Sequence, residues 1–394
     1  MSDKLQGSAD KEQSSTYCLS RTINLANNWI SRRHFHQLDF IMSQSNLRLA
    51  ILDDYQGIAR EIFSKAVPDI EITSFPETLH PDVQSEQDAL IERLRPFDVI
   101  STMRERTALP GSVISALPNL KLVLTTGMKN SSLDLKTLAA RGIPVLGAKG
   151  QGTQGLTKPP TSLDSTLEHT WALILALARN VARDDWSTKN GGWENSFATG
   201  LRGKTLSLLG LGKLGADVGR VGILAFGMKV LAWSSNLTQA TADEKAHALG
   251  LPQGAFHVAQ SKEELVQKAD ILSIHYVLSE RSINILSAKE LALMKKTALL
   301  VNTSRGPLIE EQCLLSSLKK GVIRGAAFDV YNVEPLPLQS EWRSVPWGKG
   351  GRSNVLLSPH MGYVEEGVMQ RWYEDSAVNL KSWIQGDEPI TRLN

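Results

Sequence analysis

Apolar residues in this chain gather in short dense runs rather than long stripes. Up to Ala148 the runs are LRLAILDD, FDVIST, LKLVLTTG and IPVLGA, and each gives way to an amphipathic or turn-rich stretch. From Thr205 a second series follows: TLSLLG, MKVLAWSS, ADILSIHY, TALLVNTS, IRGAAFDV and NVLLSPH, with segments of helical periodicity between most of them. Short apolar runs bounded by turn residues are the pattern of strands buried on both faces. Strands that alternate with helices pair in parallel, because each crossover helix carries the chain back to the end of the sheet where it started. The chain is therefore expected to be α/β, with the six runs of its second half forming a doubly wound parallel sheet.

Between the two series the pattern changes. Gly147 to Ser162 reads GAKGQGTQGLTKPPTS, whose Gly, Pro and Thr content predicts a loop or linker. Thr166 to Arg183 has the apolar density of a helix buried between domains, and Glu374 to Ile384 reads as an amphipathic helix that returns to the first domain. The expected division is a body of residues 46–160 completed by 364–394, and a second body of residues 161–363. Residues 1–45 are polar, lack periodicity and are expected to lie outside the fold. Their basic stretch through Arg21, Arg32 and Arg33 has something of a mitochondrial presequence, but Asp3, Asp10 and Glu12 sit where such a signal is acid-poor. Met42 stands just before the folded pattern and is an alternative start.

Composition narrows the function classes. With 394 residues the chain exceeds one compact core, so two domains with a cleft are expected. Forty-three basic residues face 41 acidic ones for a net charge of +2, and no polybasic run offers a nucleic-acid footprint. Only two cysteines occur, Cys18 and Cys313, and no signal peptide is read; a reducing, cytoplasmic compartment is expected. The apolar stretch Trp171 to Ala178 is far short of the roughly 20 residues that span a bilayer, so no membrane anchor is expected. No metal site is expected either.

Chemistry enters with the glycines. Gly210, Gly212 and Gly215 stand in GLGKLG, after the strand-like TLSLL and before a helix-like segment with Leu214, Val218, Val221 and Ala225 on its apolar face. Gly210 permits a tight turn, Gly212 lets a pyrophosphate approach the backbone, and Gly215 lets helix and strand pack closely. The helix N-terminus then offers free N–H groups and its dipole to the phosphates. A strand-end acid about 20 residues later would grip the ribose of NAD. Here Trp233 is followed by Ser234, Ser235 and Asn236, which removes the repulsion against a 2′-phosphate without supplying an Arg to clamp one. NAD and NADP both stay open as cofactor.

Three further segments lie beyond strand ends: VNTSRGPLI from Val301, GAAFDVYNVEP from Gly325, and LSPHMGY from Leu357. Arg305, Glu334 and His360 thus fall where open α/β sheets place their ligands. Singly, an Arg after a strand is a surface charge, a Glu before Pro a turn residue, and a lone His a structural one. Together they supply a cation for a carboxylate, a general acid/base, and a carboxylate to orient that base.

GLGKLG, the HYVLS turn from His275, NTSRG, AFDVYNVEP and SPHMG, in this order and spacing, resemble the D-isomer-specific 2-hydroxyacid dehydrogenase family, over nearly everything from Leu47 to Leu393. HTWALILALAR and LTTGMKN are similar to its phosphoglycerate dehydrogenase-like and hydroxypyruvate reductase-like branch. The resemblance implies a Rossmann-type NAD(P)-binding domain over 161–363 and a smaller, flavodoxin-like substrate domain over 46–160 and 364–394. It implies hydride transfer between NAD(P)H and a small 2-keto acid, giving the D-2-hydroxy acid, in a homodimer. Arg305 would hold the substrate's carboxylate and keto oxygen, His360 would protonate that oxygen, and Glu334 would bond the imidazole and favour its protonated form. Asp329 would fix the nicotinamide carboxamide. Lys213, Leu214, Ser234, Ser235, His275, Thr303 and Gly362 would join the three glycines at the cofactor, and Gly127, Met128 and Arg104 would bind substrate from the other domain. The stretch Leu336 to Arg352, with Trp342 and Trp347, is longer than a minimal connection and reads as shaping a larger pocket. A second reading is an NAD(H)-sensing, co-repressor-like regulator on the same scaffold. Formate oxidation, the third, would pair the histidine with glutamine, which Glu334 opposes.

Overall fold

The computed structural model describes residues 47–150, 165–387 and 391–394. The expected 1–45 extension and most of the Gly147–Ser162 linker lie outside the described residues. By internal contacts the chain divides into two compact units, one drawn from Met1–Gly155 and Met369–Asn394, the other from Leu156–Val368.

The first unit runs β1 (Arg48–Leu52), α1 (Ala59–Ala66), β2 (Glu71–Phe75), α2 (Gln84–Leu94), β3 (Val99–Thr102), α3 (Gly111–Ser115), β4 (Leu122–Thr126), α4 (Leu135–Ala140) and β5 (Val145–Ala148). All strands pair in parallel in the order β2-β1-β3-β4-β5, the flavodoxin-like order. β1, β3, β4 and β5 are the four apolar runs read from sequence. β2, reading EITSF, was missed because it is an edge strand with no fully buried residue, so it has no need of an apolar run. Leu90 and Leu94 of α2, Val113 and Ile114 of α3 and Ile100 of β3 share one core cluster. The C-terminal residues return to this unit: Leu393 N–H donates to the Val145 carbonyl at 2.9 Å, and Gly147 N–H to that of Thr391 at 3.0 Å.

The second unit contains α5 (Ser165–Ala178), α6 (Val181–Lys189), β6 (Thr205–Leu209), α7 (Lys213–Phe226), β7 (Lys229–Trp233), α8 (Gln239–Ala248), β8 (Phe256–Val258), α9 (Lys262–Lys268) and β9 (Ile271–Ile274). It continues with α10 (Ala288–Leu293), β10 (Leu299–Asn302), a 3₁₀ turn (Gly306–Leu308), α11 (Glu311–Lys319), β11 (Gly325–Phe328), α12 (Glu341–Ser344) and β12 (Asn354–Leu357). The seven parallel strands lie in the order β12-β11-β10-β9-β6-β7-β8, which reverses between β6 and β9 as in a doubly wound dinucleotide-binding sheet. Six were read from sequence. The seventh, β8, is three residues long at an edge, too short to carry a periodicity.

Three expectations are corrected. The helix expected over Thr166–Arg183 is two helices, α5 and α6, broken where Asn180 takes a left-handed φ of 57°. The helix expected over Glu374–Ile384 is 20 residues long, α13 (Glu366–Gln385), and its added first turns bury Met369 and Tyr373. Trp342 and Trp347 pack largely as core where a larger pocket was expected: Trp342 is buried, its ring centre 4.9 Å from that of Phe328 of β11 and 5.9 Å from that of Trp347, both pairs tilted, and it donates its indole N–H to Glu311 at 2.8 Å. The long connection between β11 and β12 therefore folds back as core. Among the described residues no helix is long and apolar enough to cross a membrane.

Truncating this buried indole removes its packing and strands the Glu311 acceptor. Trp342→Ala is expected to destabilise the protein by about 3–5 kcal/mol, read as a lowered urea midpoint.

Candidate active site

The turn between β6 and α7 is built for close approach. Gly210 takes φ +102°, and a Cβ there would stand 2.5 Å from the His275 carbonyl oxygen, so only glycine lets the two strand ends meet. A Cβ at Gly215 would sit 2.3 Å from the Gly210 carbonyl oxygen. Gly212 differs: nothing lies within 4 Å of its Cβ position, and it caps α7 with no side-chain hydrogen bond. Open space thus faces the first-turn N–H groups of Lys213, Leu214 and Gly215, which a helix leaves without intrahelical partners. An anion fits there, and with it the pyrophosphate of a dinucleotide.

At the end of β7, Trp233 stacks on Tyr276 with 6.3 Å between ring centroids. The Tyr276 hydroxyl accepts from Ser235 N–H at 3.3 Å and donates to Ser235 Oγ at 3.2 Å. Ser234 is half-buried beside this pair, and no carboxylate replaces the missing ribose acid among these contacts. His275 follows β9. Its Nε2 is 2.9 Å from Ser273 Oγ, while its Nδ1 is buried with no partner among the described residues. Burial lowers its pKa from 6.5 to about 4, so the ring is neutral at pH 7. Thr303, just past β10, is buried with its hydroxyl 2.8 Å from that of Thr170 on α5.

Arg305, Glu334 and His360 follow the carboxyl ends of β10, β11 and β12, three neighbouring strands. Arg305 is exposed, with Nη1 donating to the Ser304 carbonyl at 2.8 Å, and Asn302 Nδ2 donates to the Arg305 carbonyl at 2.9 Å. Its neighbour Gly306 lies against the Tyr331–Asn332 peptide, where a Cβ would fall 2.2 Å from the Tyr331 carbonyl carbon. That contact seats the arginine loop on the loop carrying Glu334. Glu334 accepts from Tyr331 N–H through Oε1 at 2.8 Å, and its Oε2 is 2.5 Å from His360 Nδ1. A carboxylate at Nδ1 places the proton on that nitrogen, which leaves Nε2, unpartnered among the described residues, as the reactive face. His360 holds φ +56°, a left-handed conformation a non-glycine residue keeps only where its surroundings impose it.

Those surroundings centre on Asp329, one residue past β11 and almost fully buried. Its Oδ1 accepts from Met361 N–H at 2.7 Å and from Ser358 Oγ at 2.7 Å, and its Oδ2 from Gly362 N–H at 2.9 Å. His169 Nε2 on α5 stands 3.0 Å from Asp329 Oδ1 and 2.9 Å from Ser358 Oγ. Burial alone would raise the Asp329 carboxyl, but His169, Ser358 and the Met361 N–H outweigh it and hold the group below the usual carboxylate range. His169 was not singled out from sequence. The available signal was a polar residue inside the otherwise apolar HTWALILALAR stretch, which periodicity alone assigns to packing.

The remaining candidates belong to the first unit. Arg104, after β3, holds φ +49°, donates its N–H to Thr126 Oγ1 at 2.9 Å and lays its guanidinium 5.6 Å from the Trp372 ring centre. Asn130 Nδ2 donates to the Arg104 carbonyl at 2.6 Å. Gly127 follows β4 at φ +85°, and its Cβ position is occupied by the Arg104 guanidinium, 2.3 Å away. Met128 is exposed.

Between pH 6.5 and about 4 the unfolded chain binds a proton that folded His275 refuses. Its contribution therefore lowers stability as pH falls through that window. His275→Gln is expected to flatten the pH dependence of the unfolding free energy there, measured by urea titration at several pH values; an unaltered slope would show that the buried imidazole is not its source.

Comparisons with known proteins bear on the family and the fold. Residues 171–362 match the model of the D-isomer specific 2-hydroxyacid dehydrogenase, NAD binding domain. A glyoxylate reductase from Aeropyrum pernix is 30% identical over 346 residues, covering 86% of this chain and 95% of that relative. A D-3-phosphoglycerate dehydrogenase from Methanocaldococcus jannaschii is 30% identical over 76% of this chain and 52% of its own length. Among solved structures, a phosphoglycerate oxidoreductase from Vibrio cholerae superposes with a TM-score of 0.72 at 32% identity, covering 86% of this chain and 98% of that one. The dinucleotide turn, the sheet order and these likenesses converge: the chain belongs to the D-isomer specific 2-hydroxyacid dehydrogenase family, whose members are NAD(P)-dependent oxidoreductases.

Proposed function

We propose that this enzyme reduces a small 2-keto acid to its D-2-hydroxy acid through Arg305, Glu334 and His360. The observation that carries the reading is the 2.5 Å contact between Glu334 Oε2 and His360 Nδ1, next to an exposed guanidinium on the adjoining loop. A bound nicotinamide dinucleotide supplies the hydride. Arg305 pairs with the substrate carboxylate and polarises the keto oxygen, as its planar donor fork suits. Protonated His360 gives its Nε2 proton to that oxygen as C2 accepts the hydride, and Glu334 offsets the imidazolium charge before transfer and fixes the ring afterwards. In the opposite direction neutral His360 takes the hydroxyl proton. Asp329 serves the site by holding the His360 turn, and buried Thr303 and Gly362 with half-buried His275 support the nicotinamide end.

The division of labour assigns the cofactor to the unit drawn from Leu156–Val368. Gly127, Met128 and Arg104 of the other unit contribute backbone and charge to substrate binding. The curated relatives are named for glyoxylate and phosphoglycerate. Glyoxylate and 3-phosphohydroxypyruvate, the keto acid of 3-phosphoglycerate, therefore head the keto acids to be tested, followed by hydroxypyruvate and by branched and aromatic ones. A homodimer with paired cofactor units belongs to the proposal. Its support is that Val181, Trp186, Trp193, Leu224 and Phe197 of that unit are large apolar side chains left exposed, the last at 90%. The low cysteine count supports a reducing compartment such as the cytoplasm.

Loss of absorbance at 340 nm with NADH or NADPH against that panel tests the reaction. His360→Ala is expected to lower kcat by roughly 10²- to 10⁴-fold while cofactor Kd stays put. Wild-type turnover in that variant contradicts the assignment, and tight cofactor binding without turnover of any acid favours a regulator.

Ser234→Asp places a carboxylate where a 2′-phosphate would approach. The ratio of kcat/KM for NADH over NADPH is expected to rise about tenfold or more; an unchanged ratio removes Ser234 from cofactor choice.

A further inference from the structure

The His360 turn is clamped from a second side that the proposed reaction does not use. Four residues of α5's first turns and of the β11 end converge on it. Ser165 Oγ donates to the Gly362 carbonyl at 3.1 Å, and a Cβ at Gly362 would press on both Asp329 Oδ2 at 3.1 Å and Thr166 Cγ2 at 3.3 Å. His169, one turn after Ser165, reaches Asp329 and Ser358 together.

The protons can be placed. Ser358 Oγ has one proton, and its shortest acceptor is Asp329 Oδ1 at 2.7 Å. With that proton committed, the hydroxyl can only accept from His169, so His169 Nε2 carries a proton shared between Asp329 Oδ1 at 3.0 Å and Ser358 Oγ at 2.9 Å. The alternative tautomer would set an imidazole lone pair against a buried carboxylate. Asp329 Oδ1 then gathers donors from α5, from the end of β12 and from the Met361 peptide, and Oδ2 takes the Gly362 peptide. Ser358 and Met361 bracket His360 on both sides. A left-handed non-glycine residue is strained and relaxes unless its neighbours are fixed. Two of those neighbours are fixed by one carboxylate, and that carboxylate is oriented by one imidazole.

We infer that His169 is a positioning residue for the proton donor: through Asp329 and Ser358 it holds the Ser358–Gly362 turn that aims His360 at Glu334 on one side and at the substrate on the other. The inference rests on the proposed role of His360. It assigns His169 no contact with substrate or cofactor. Its effect passes through the geometry of another side chain.

Two substitutions separate positioning from mere packing. His169→Leu fills the space and removes the donor; His169→Gln places an amide N–H at the same number of bonds from the backbone as Nε2. In His169→Leu, kcat is expected to fall about 10- to 100-fold, the loss produced by misplacing a reacting group by about 1 Å. Cofactor Kd, read by quenching of protein fluorescence, stays within about twofold, and His169→Gln recovers kcat to within about threefold of wild type. In a His360→Ala background, His169→Leu is expected to cost no further activity, since the group it positions is gone. The same variants are read without turnover from the low-field proton resonance of the His360–Glu334 hydrogen bond, identified by its absence in His360→Ala. That resonance is expected to shift or vanish in His169→Leu and to persist in His169→Gln. If His169→Leu does not fold, His169→Asn, whose amide is too short to reach Asp329, takes its place with the same expectations. An unaltered resonance in the donor-free variant, a Gln variant as impaired as the Leu one, or an equal further loss in the His360→Ala background would overturn the inference. Should the resonance respond while no keto acid is turned over by wild type, the reaction assignment fails and the positioning role stands.

Discussion

The constraint on which this structure turns is that its central parallel strands are buried on both faces. β9, β10 and β11 have no exposed residue, and an ionised side chain placed within them would lose its hydration without a partner. Charge is driven to the strand ends. The carboxyl ends of neighbouring strands then bring together segments far apart in sequence, and the dinucleotide turn after β6, the Arg305 loop, the Glu334 loop and the His360 turn all stand at such ends. The same packing makes glycine necessary where ends must touch. At Gly210 the turn meets the His275 carbonyl, and at Gly306 the Arg305 loop lies on the backbone of the Glu334 loop.

Within that frame the candidate site relies on carboxylates placed against peptide N–H groups. Glu334 spends one oxygen on the Tyr331 peptide and presents the other to His360. Asp329 spends both oxygens on the turn around His360. A carboxylate held by several donors stays ionised even when buried, and an ionised group is a fixed reference against which a ring can be oriented. The cost of the left-handed backbone at His360 is offset by these bonds. This is why the turn needs a buried acid behind it as well as the partly exposed one in front.

The candidate ribose-binding end is organised differently. With no strand-end acid, the β7 end relies on the Trp233–Tyr276 stack and on hydrogen bonds from Tyr276 to Ser235. Aromatic stacking gives shape without charge, which fits a site that neither grips a ribose hydroxyl with a carboxylate nor repels a phosphate with one.

Sequence by itself determined the buried strands, the glycine turn and the positions of Arg305, Glu334 and His360, because each follows from a local signal: a run of apolar residues, a spaced triplet, a charged residue just past a strand. It did not reveal β2 or β8, edge strands whose partial exposure leaves no apolar run, nor the break at Asn180, where one left-handed residue splits a continuous apolar stretch. The two tryptophans after Glu334 suggested a larger pocket, and the structure buries Trp342 with Trp347 packed partly buried against the same core, because how an indole is covered depends on what folds over it. Only tertiary structure decided what His169 touches. It lies 160 residues from Asp329 and 189 from Ser358, and hydrogen bonds over such separations leave no period in the sequence; they exist because α5 packs its first turns against the ends of β11 and β12.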